Sequence, residues 1–221
     1  MDGIDIKSML LIGFLDKNGS SCRTIKSVLL KNTAFQEIIF PESCYANINN
    51  NSKIKDSKAF ELANTDEISF LSINIEVDGN CAHDFVNHLY NLIIKNNVQK
   101  ILLLASIYPS DVPRNFINCS FFETSFNSNY ITDHGKCCDL NVDSLFLNYF
   151  FQVAIVKQLP LNVLWVIGNK CKIGLPNLDD DSLTNIEIFN SELRKYLNQD
   201  FDIEISKNLE LKWQEDNLLY N

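Results

Sequence analysis

The stretch that decides the fold is SLFLNYFFQVAIVKQLPLNVLWVIG, residues 144–168. Its first half repeats apolar residues at helical spacing, Pro160 closes the connection, and a compact apolar run then extends to Gly168. A second compact run, ILLLASI, lies upstream at residues 101–107. Short continuous apolar runs are typical of strands buried on both faces of a parallel sheet. The order strand, helix, strand therefore predicts an α/β layer fold.

The same alternation continues towards the N-terminus. Apolar runs predict a first strand over residues 9–15 and another strand over residues 68–77. The N-terminal run is interpreted as a strand and not as a signal peptide, because it lacks a small-residue cleavage site. A helix is predicted after the turn at residues 78–80, with Lys95 in its last turn. Its apolar stripe consists of Ala82, Phe85, Val86, Leu89 and Ile93.

The predicted helix of the opening stretch begins at Asn141, a good N-cap, with Asp143 in its first turn. Over residues 142–157 it is apolar on nearly all sides, which places it at the centre of the fold or against a partner.

A further helix follows the acidic turn NLDDDS, residues 177–182. Thr184 and Glu187 have capping-box spacing. The helix buries a stripe of Leu183, Ile186, Phe189, Leu193 and Leu197. FDIEI, residues 201–205, then alternates like an edge strand.

Together these elements predict a single α/β domain over residues 1–206, with a flexible C-terminal tail over residues 207–221. The domain is expected to be a three-layer sandwich, with a mostly parallel central sheet flanked by helices. Residues 43–57 are predicted to form a solvated loop. The stretch 108–140 is too long for a featureless connection, so a short strand or hairpin around Phe121, Phe122 and Phe126, or a partner surface, is expected there.

Composition excludes several classes of function. The chain has 221 residues, of which 46% are hydrophobic, and a net charge of −9 without a Lys/Arg cluster, so it lacks the electrostatic footprint of a nucleic-acid binder. Its most apolar run is about a dozen residues, short of the roughly 20 that a membrane span needs. The seven cysteines are scattered and form no C-x-x-C pair, which favours free thiols in a reducing compartment.

Motifs that carry chemistry are sparse. The seven glycines make neither G-x-G-x-x-G nor a P-loop, and no G-x-S-x-G elbow is present. His83 and His88 are five residues apart, which is the wrong spacing for a metal pair on one helix face. HGKCC, residues 134–138, is best interpreted as loop thiols rather than a metal site or a Cys–His nucleophilic pair. The carboxylates of residues 179–181 lack EF-hand spacing and suit a helix N-terminus. We therefore expect no enzyme, no metal and no cofactor.

The last three residues are Leu219, Tyr220 and Asn221. They form a hydrophobic-Tyr-X pattern, in which X is any residue and carries the terminal carboxylate. An apolar side chain and a tyrosine ring can fill a slot on another protein, and a buried lysine can meet the carboxylate. The competing interpretation is a frayed terminus whose Leu219 packs loosely on the domain.

The body and the tail together resemble the proteasome assembly chaperones, α/β proteins that act as a heterodimer. The similar segments are KILLLASI (100–107), residues 140–169, DSLTNIEIFNSEL (181–193) and LLYN (218–221). The resemblance spans about residues 66–197 and the last residues, and it favours the tail-bearing subunit over its related partner subunit. It implies a location in the cytoplasm, and in the nucleus as well.

The resemblance also implies a mechanism. Leu219, Tyr220 and Asn221 would enter a pocket between α subunits of the 20S core particle, promote assembly of the α ring and block premature activator binding. Two alternatives stay open at this point. One is a hydrolase-like or phosphorylase-like enzyme that uses the 108–140 loop and Cys137, and the other is an adaptor that homodimerises through the apolar helix at 142–157.

Overall fold

Seven strands form one mixed sheet in the part of the chain that the computed structural model describes, namely residues 4–15, 19–28, 35–45, 58–75, 77, 79–112, 119–126, 144–168 and 182–197. The strands are β1 (Met9–Phe14), β2 (Gln36–Glu37), β3 (Phe60–Asn64), β4 (Ile68–Ile73), β5 (Lys100–Ile107), β6 (Phe121–Ser125) and β7 (Leu161–Ile167). Their order across the sheet is β2-β3-β4-β1-β5-β7-β6.

The four central strands are parallel and the outer ones are not. β1 pairs in parallel with β4 and with β5, and β5 pairs in parallel with β7. β3 and β2 extend one side of the sheet antiparallel, and β6 closes the other side antiparallel to β7. The mostly parallel sheet predicted from the sequence is confirmed.

Four α-helices within the described residues cover the sheet on both faces. They are α1 (Ser20–Val28), α2 (Gly79–Lys95), α3 (Leu145–Lys157) and α4 (Ser182–Leu197). α2 and α3 pack together over one face, and α1 and α4 over the other. The result is the predicted three-layer α/β sandwich. None of the described helices is long and apolar enough to cross a membrane.

Side-chain alternation along β5 divides the core between the two faces. Leu103 and Ala105 belong to the cluster under α2 and α3, whereas Leu102 and Leu104 belong to the cluster under α1 and α4. Because successive strand residues point to opposite faces, a strand buried on both sides must be apolar throughout. This is the physical reason for the continuous run ILLLASI.

Several predicted boundaries are wrong. The strand predicted over residues 68–77 ends at Ile73. The next residue, Asn74, uses its side-chain amide to donate to the Lys58 carbonyl and to the Glu61 carboxylate, both at 2.7 Å. The helix predicted from Asn141 begins at Leu145, and its cap is Ser144, whose hydroxyl accepts from the Leu147 N–H at 3.4 Å.

Two further local predictions need correction. Thr184 is the third residue of α4, so it is not the cap of a Thr184–Glu187 box. At the start of the predicted 43–57 loop, Glu42–Tyr45 form a 3₁₀ turn in which Cys44 is fully buried. Within the 108–140 stretch, the predicted short strand is confirmed as β6. The same stretch begins with a 3₁₀ turn at Pro109–Asp111. FDIEI and residues 46–57, 113–118 and 127–140 lie outside the described residues.

Candidate functional site

The tail residues predicted to bind a partner, Leu219, Tyr220 and Asn221, lie outside the described residues, and docking of the tail stays a prediction. The same is true of the HGKCC segment and of the carboxylates at residues 179–181. What the described residues do define is the chemistry available at the carboxyl edge of the sheet and the character of its outer helical faces.

The carboxyl edge of the parallel strands is where ligands usually bind in open α/β sheets. Here α1 closes that edge tightly, because Gly13 in β1 has no side chain to hold the helix away. The Ser21 hydroxyl accepts from the Phe14 N–H at 3.1 Å and donates to the Leu104 carbonyl at 2.6 Å. One buried hydroxyl thereby ties α1 to two neighbouring strands.

Polar side chains are unusually buried between α1, α4 and this edge. They are Ser20, Ser21, Arg23, Thr24, Ser106, Asn185, Asn190 and Glu192. Gly168 is part of the same packing, since a Cβ at that position would overlap the Asn185 amide. The Ser21 hydroxyl joins α1 to the sheet, and the Thr24 hydroxyl donates within α1 to the Ser20 carbonyl at 2.8 Å. Hydroxyls and amides supply neither a thiolate nor an imidazole for nucleophilic chemistry.

The described histidines and cysteines do not assemble a catalytic centre. His83 is exposed and lies 3.5 Å from the Asp84 carboxylate, at the polar edge of α2 as predicted. Among the described residues, no group of three or more His, Cys, Asp or Glu side chains could hold a metal ion. Cys44 lies beneath α2, and burial raises the pKa of its thiol to about 11. The Cys44 thiol is therefore protonated at neutral pH and a poor nucleophile.

This pKa gives a direct prediction about thiol reactivity. At pH 8 we expect iodoacetamide to modify Cys44 at least about 100-fold more slowly than Cys119, because the Cys44 thiolate is rare and the side chain is fully buried. Cys119 is exposed and serves as the internal control. Peptide mass spectrometry over a time course measures both rates in one sample, and equal rates would contradict the burial of Cys44.

Raising the pH should also weaken the fold through the same group. The folded-state pKa of Cys44 lies above its reference value of 9.0, so the native state holds this proton more tightly than the unfolded state does. The contribution of Cys44 to the free energy of unfolding is complete below about pH 9 and is lost as the pH rises towards about 11.

The outer face of α2 and α3 is the most apolar exposed surface among the described residues. Leu145, Ile155 and Val156 of α3 and Ile94 of α2 are between 53% and 74% exposed. The sequence correctly predicted that α3 is apolar on nearly all sides. One side, including Phe146, Phe150 and Ala154, is buried in the core, and the opposite side faces outward.

Contacts between the two helices make this face one continuous surface. The His83 ring meets the Tyr149 ring edge-on, with centroids 5.7 Å apart, and the Lys157 ammonium lies 5.8 Å from the centre of the Tyr90 ring. Both helices start at the carboxyl edge of the sheet and therefore run parallel. We call the outward surface formed by Tyr90, Ile94, Leu145, Tyr149, Ile155 and Val156 the α2–α3 face.

Comparison with solved structures extends the description of the fold. No protein-family model and no curated protein matches the chain. A Thermoplasma acidophilum protein of unknown function superposes with a TM-score of 0.64 at 10% identity, over 99% of this chain and 89% of that one.

Two Pyrococcus furiosus structures also superpose over nearly their whole length. PbaB, described as an archaeal proteasome activator, gives a TM-score of 0.60 at 8% identity, over 97% of this chain and 93% of that one. PbaA, described as an archaeal homolog of proteasome-assembly chaperone, gives 0.59 at 10% identity, over 96% and 91%. At these identities the likeness establishes a shared α/β fold.

Proposed function

We propose that this chain is a proteasome assembly chaperone that binds the α ring of the core particle, and that it corresponds to the tail-bearing subunit, proteasome assembly chaperone 1. The observation that carries the proposal is the combination of two independent features. The fold matches PbaA and PbaB over more than nine-tenths of each chain. The sequence also has a hydrophobic-Tyr-X pattern at Leu219, Tyr220 and Asn221, which is a feature of residue types and not of the fold.

In this proposal the chain acts by binding and not by catalysis. The domain over residues 1–206 pairs with a related α/β subunit, similar to assembly chaperone 2, and lies on the outer surface of the forming α ring. The tail over residues 207–221 reaches an inter-subunit pocket. Leu219 and Tyr220 fill that pocket, and the Asn221 carboxylate pairs with a lysine at its base.

Occupying the pockets gives the two proposed effects of the chaperone. A bound tail bridges neighbouring α subunits and so favours the closed ring, and it excludes activators that use a similar tail. One short tail is a small contact, so useful affinity requires a second attachment through the body or the related subunit. The proposed site of action is the cytoplasm, and the nucleus as well.

The test of the tail is a single substitution at Tyr220. Tyr220→Ala should weaken binding to isolated α rings by about tenfold or more, because the pocket loses an aromatic ring and a hydroxyl. Tyr220→Phe keeps the aromatic ring and should lose less affinity for α rings than Tyr220→Ala. Surface plasmon resonance on immobilised α rings measures both variants, and unfolding curves that match the unmodified protein show that the domain is intact.

The carboxylate is tested separately by adding one alanine after Asn221. The extension keeps Leu219 and Tyr220 but moves the negative charge, so binding should fall about as much as in Tyr220→Ala. Unchanged affinity in both variants would remove the tail from the proposal.

A further inference from the structure

α1 closes the carboxyl edge of the sheet at β1, but the order of the elements leaves a crevice at the end of β5. β1 and β7 lie on either side of β5, and the helices that follow them, α1 and α4, cover the same face of the sheet. The chain that follows β5 turns to the opposite face, where Val112 packs under α2 and α3. In open α/β sheets, ligands bind where neighbouring strands send the chain to opposite faces.

The start of α1 is recessed within this crevice. The Ser21 hydroxyl in the first turn of α1 donates to the Leu104 carbonyl, whereas the Gly168 N–H donates to the Ile107 carbonyl at 3.1 Å. Leu104 and Ile107 are three residues apart, so β5 and β7 extend ~10 Å beyond the first turn of α1. Ser106 lies on this rim and, by strand alternation with Leu104, on the side that faces α1 and α4. We call the space bounded by Ser106, Gly168 and the start of α1 the β5 crevice.

A buried amide without a hydrogen-bond partner lies at the rim of the β5 crevice. Asn185, at the start of α4, is 1% exposed, and its side-chain Nδ2–H₂ group has no hydrogen-bond partner among the described residues. The group lies over Gly168, where an added Cβ would overlap it. A buried donor that stays unpaired lowers stability, so native structures rarely keep one. The Asn185 amide therefore points to an acceptor in the space beside it.

The electrostatics at the start of α1 favour an anion as that acceptor. N–H groups at a helix N-terminus carry partial positive charge and stabilise an anion. The residue before α1 is Gly19, which has no side chain to cap these groups, and the first turn of α1 contains no acidic residue. The carboxylates at residues 179–181 precede α4 in the sequence and not α1.

Arg23 adds positive charge to the same region. It is buried, and its Nε lies 3.6 Å from the position that a Cβ on Gly19 would take, so the side chain reaches back to the start of α1. Arg23 already contacts other groups of the chain. Its charge therefore contributes to the local field, and the donor with spare hydrogen-bonding capacity is the Asn185 amide.

We propose that the β5 crevice binds a small oxyanion of the phosphate class, held by the N-terminus of α1 and by the Asn185 amide. A phosphate group presents several strong acceptor oxygens, so it can meet donors from both helices at once. Free phosphate and the phosphate group of a nucleoside monophosphate share this chemistry. The inference goes beyond the proposed function, because neither the tail nor the α ring takes part in it.

The test is isothermal titration calorimetry of the purified full chain at constant ionic strength, with inorganic phosphate in one arm and adenosine monophosphate in the other. We expect saturable binding of phosphate. Tighter binding of the nucleotide would assign the site to a nucleoside monophosphate, and weaker or equal binding would assign it to free phosphate. Absence of saturable binding in both arms overturns the proposal, whatever the tail does with α rings.

A charge substitution at Asn185 tests the location of the site. Asn185→Asp removes the donor and places a negative charge beside the anion, so it should weaken phosphate binding about tenfold or more. Asn91→Asp is the matched control, because it makes the same charge change at an exposed position of α2 on the opposite face, and it should bind phosphate normally. Equal affinity of Asn185→Asp and the unmodified protein would place the anion elsewhere and reject the β5 crevice.

Asn185→Leu separates ligand binding from a structural role. Leucine has a similar volume and no polar group, so in phosphate-free buffer this variant should unfold at the same temperature as the unmodified protein or a higher one. Phosphate should raise the unfolding temperature of the unmodified protein but not that of Asn185→Leu. A lower unfolding temperature without phosphate, combined with an unchanged response to phosphate, would show that the fold itself uses the Asn185 amide, and the proposal would fail.

Discussion

Replacing Trp165 by alanine should lower the free energy of unfolding by about 4 kcal/mol, since large-to-small changes of buried aromatic residues cost 3–5 kcal/mol. Trp165 is fully buried in β7. Its ring stacks on Phe122 of β6 at 5.9 Å and meets Phe151 of α3 edge-on at 6.0 Å. The substitution therefore leaves a cavity where a strand, its edge neighbour and a helix meet. Urea unfolding followed by circular dichroism measures the loss.

Two further variants separate the packing of Trp165 from its hydrogen bond. The Trp165 Nε1–H donates to the Thr124 hydroxyl at 2.9 Å. Trp165→Phe keeps most of the ring but leaves that hydroxyl without its donor, so it should cost about 2 kcal/mol. Adding Thr124→Val to Trp165→Phe should recover part of this loss. A loss below 1 kcal/mol for Trp165→Ala would contradict the described packing.

Gly13→Ala is expected to lower the free energy of unfolding by about 3 kcal/mol, because the added methyl group meets backbone atoms that cannot easily move. A Cβ at this position would lie 2.5 Å from the backbone carbonyl oxygen of Ser21 and would also overlap Cγ1 of Ile25. β1 is paired on both sides, so it cannot move away. The first turn of α1 would have to shift, and the two hydrogen bonds of the Ser21 hydroxyl would lengthen.

Gly79→Ala is the matched control for this prediction. Its new Cβ would lie 2.5 Å from Cδ1 of Leu145, which is the end of a half-exposed side chain that can change rotamer. Gly79 is the first residue of α2, so the preference of about 1 kcal/mol for alanine over glycine in a helix interior is only partly expressed there. We therefore expect Gly79→Ala to change the free energy of unfolding by less than about 1 kcal/mol in either direction. If Gly13→Ala were equally mild, the close packing of α1 on β1 would be wrong.

The parallel core could be predicted from the sequence because its strands are buried on both faces. β1 and β5 bury every residue except the first, and β7 buries all but its second and last residues. They therefore appear in the sequence as apolar runs. α2 was equally visible, because its buried residues follow helical spacing.

α1 could not be predicted in the same way. Its sequence, SSCRTIKSV, has few apolar residues, yet Ser20, Ser21 and Thr24 are completely buried. The helix is held by hydroxyl hydrogen bonds and by the absence of a side chain at Gly13, and neither produces a periodic apolar pattern. β2 and β3 were missed because β2 is two exposed polar residues and β3 is a short strand near the edge of the sheet.

Only the α3 part of the α2–α3 face could be predicted from the sequence. An apolar helix at 142–157 indicated either the centre of the fold or a partner surface. The structure shows that Phe150 is buried in the core and that Val156 faces outward, and a partner on that outward side stays a prediction. The contribution of α2 could not be predicted, because its pairing with α3 through His83 and Tyr149 depends on the three-dimensional order of the strands.

The measurement that tests the central claim most directly is quantitative co-purification of the tagged full chain and of a version that lacks residues 219–221. An N-terminal tag leaves the Asn221 carboxylate in place, and intact mass of the endogenous protein reports whether that carboxylate is native. We predict that the full chain brings down proteasome α subunits and a related α/β subunit, and that the truncation loses most of the α subunits but keeps the related subunit. If neither version brings down α subunits, the chain is not a proteasome assembly chaperone.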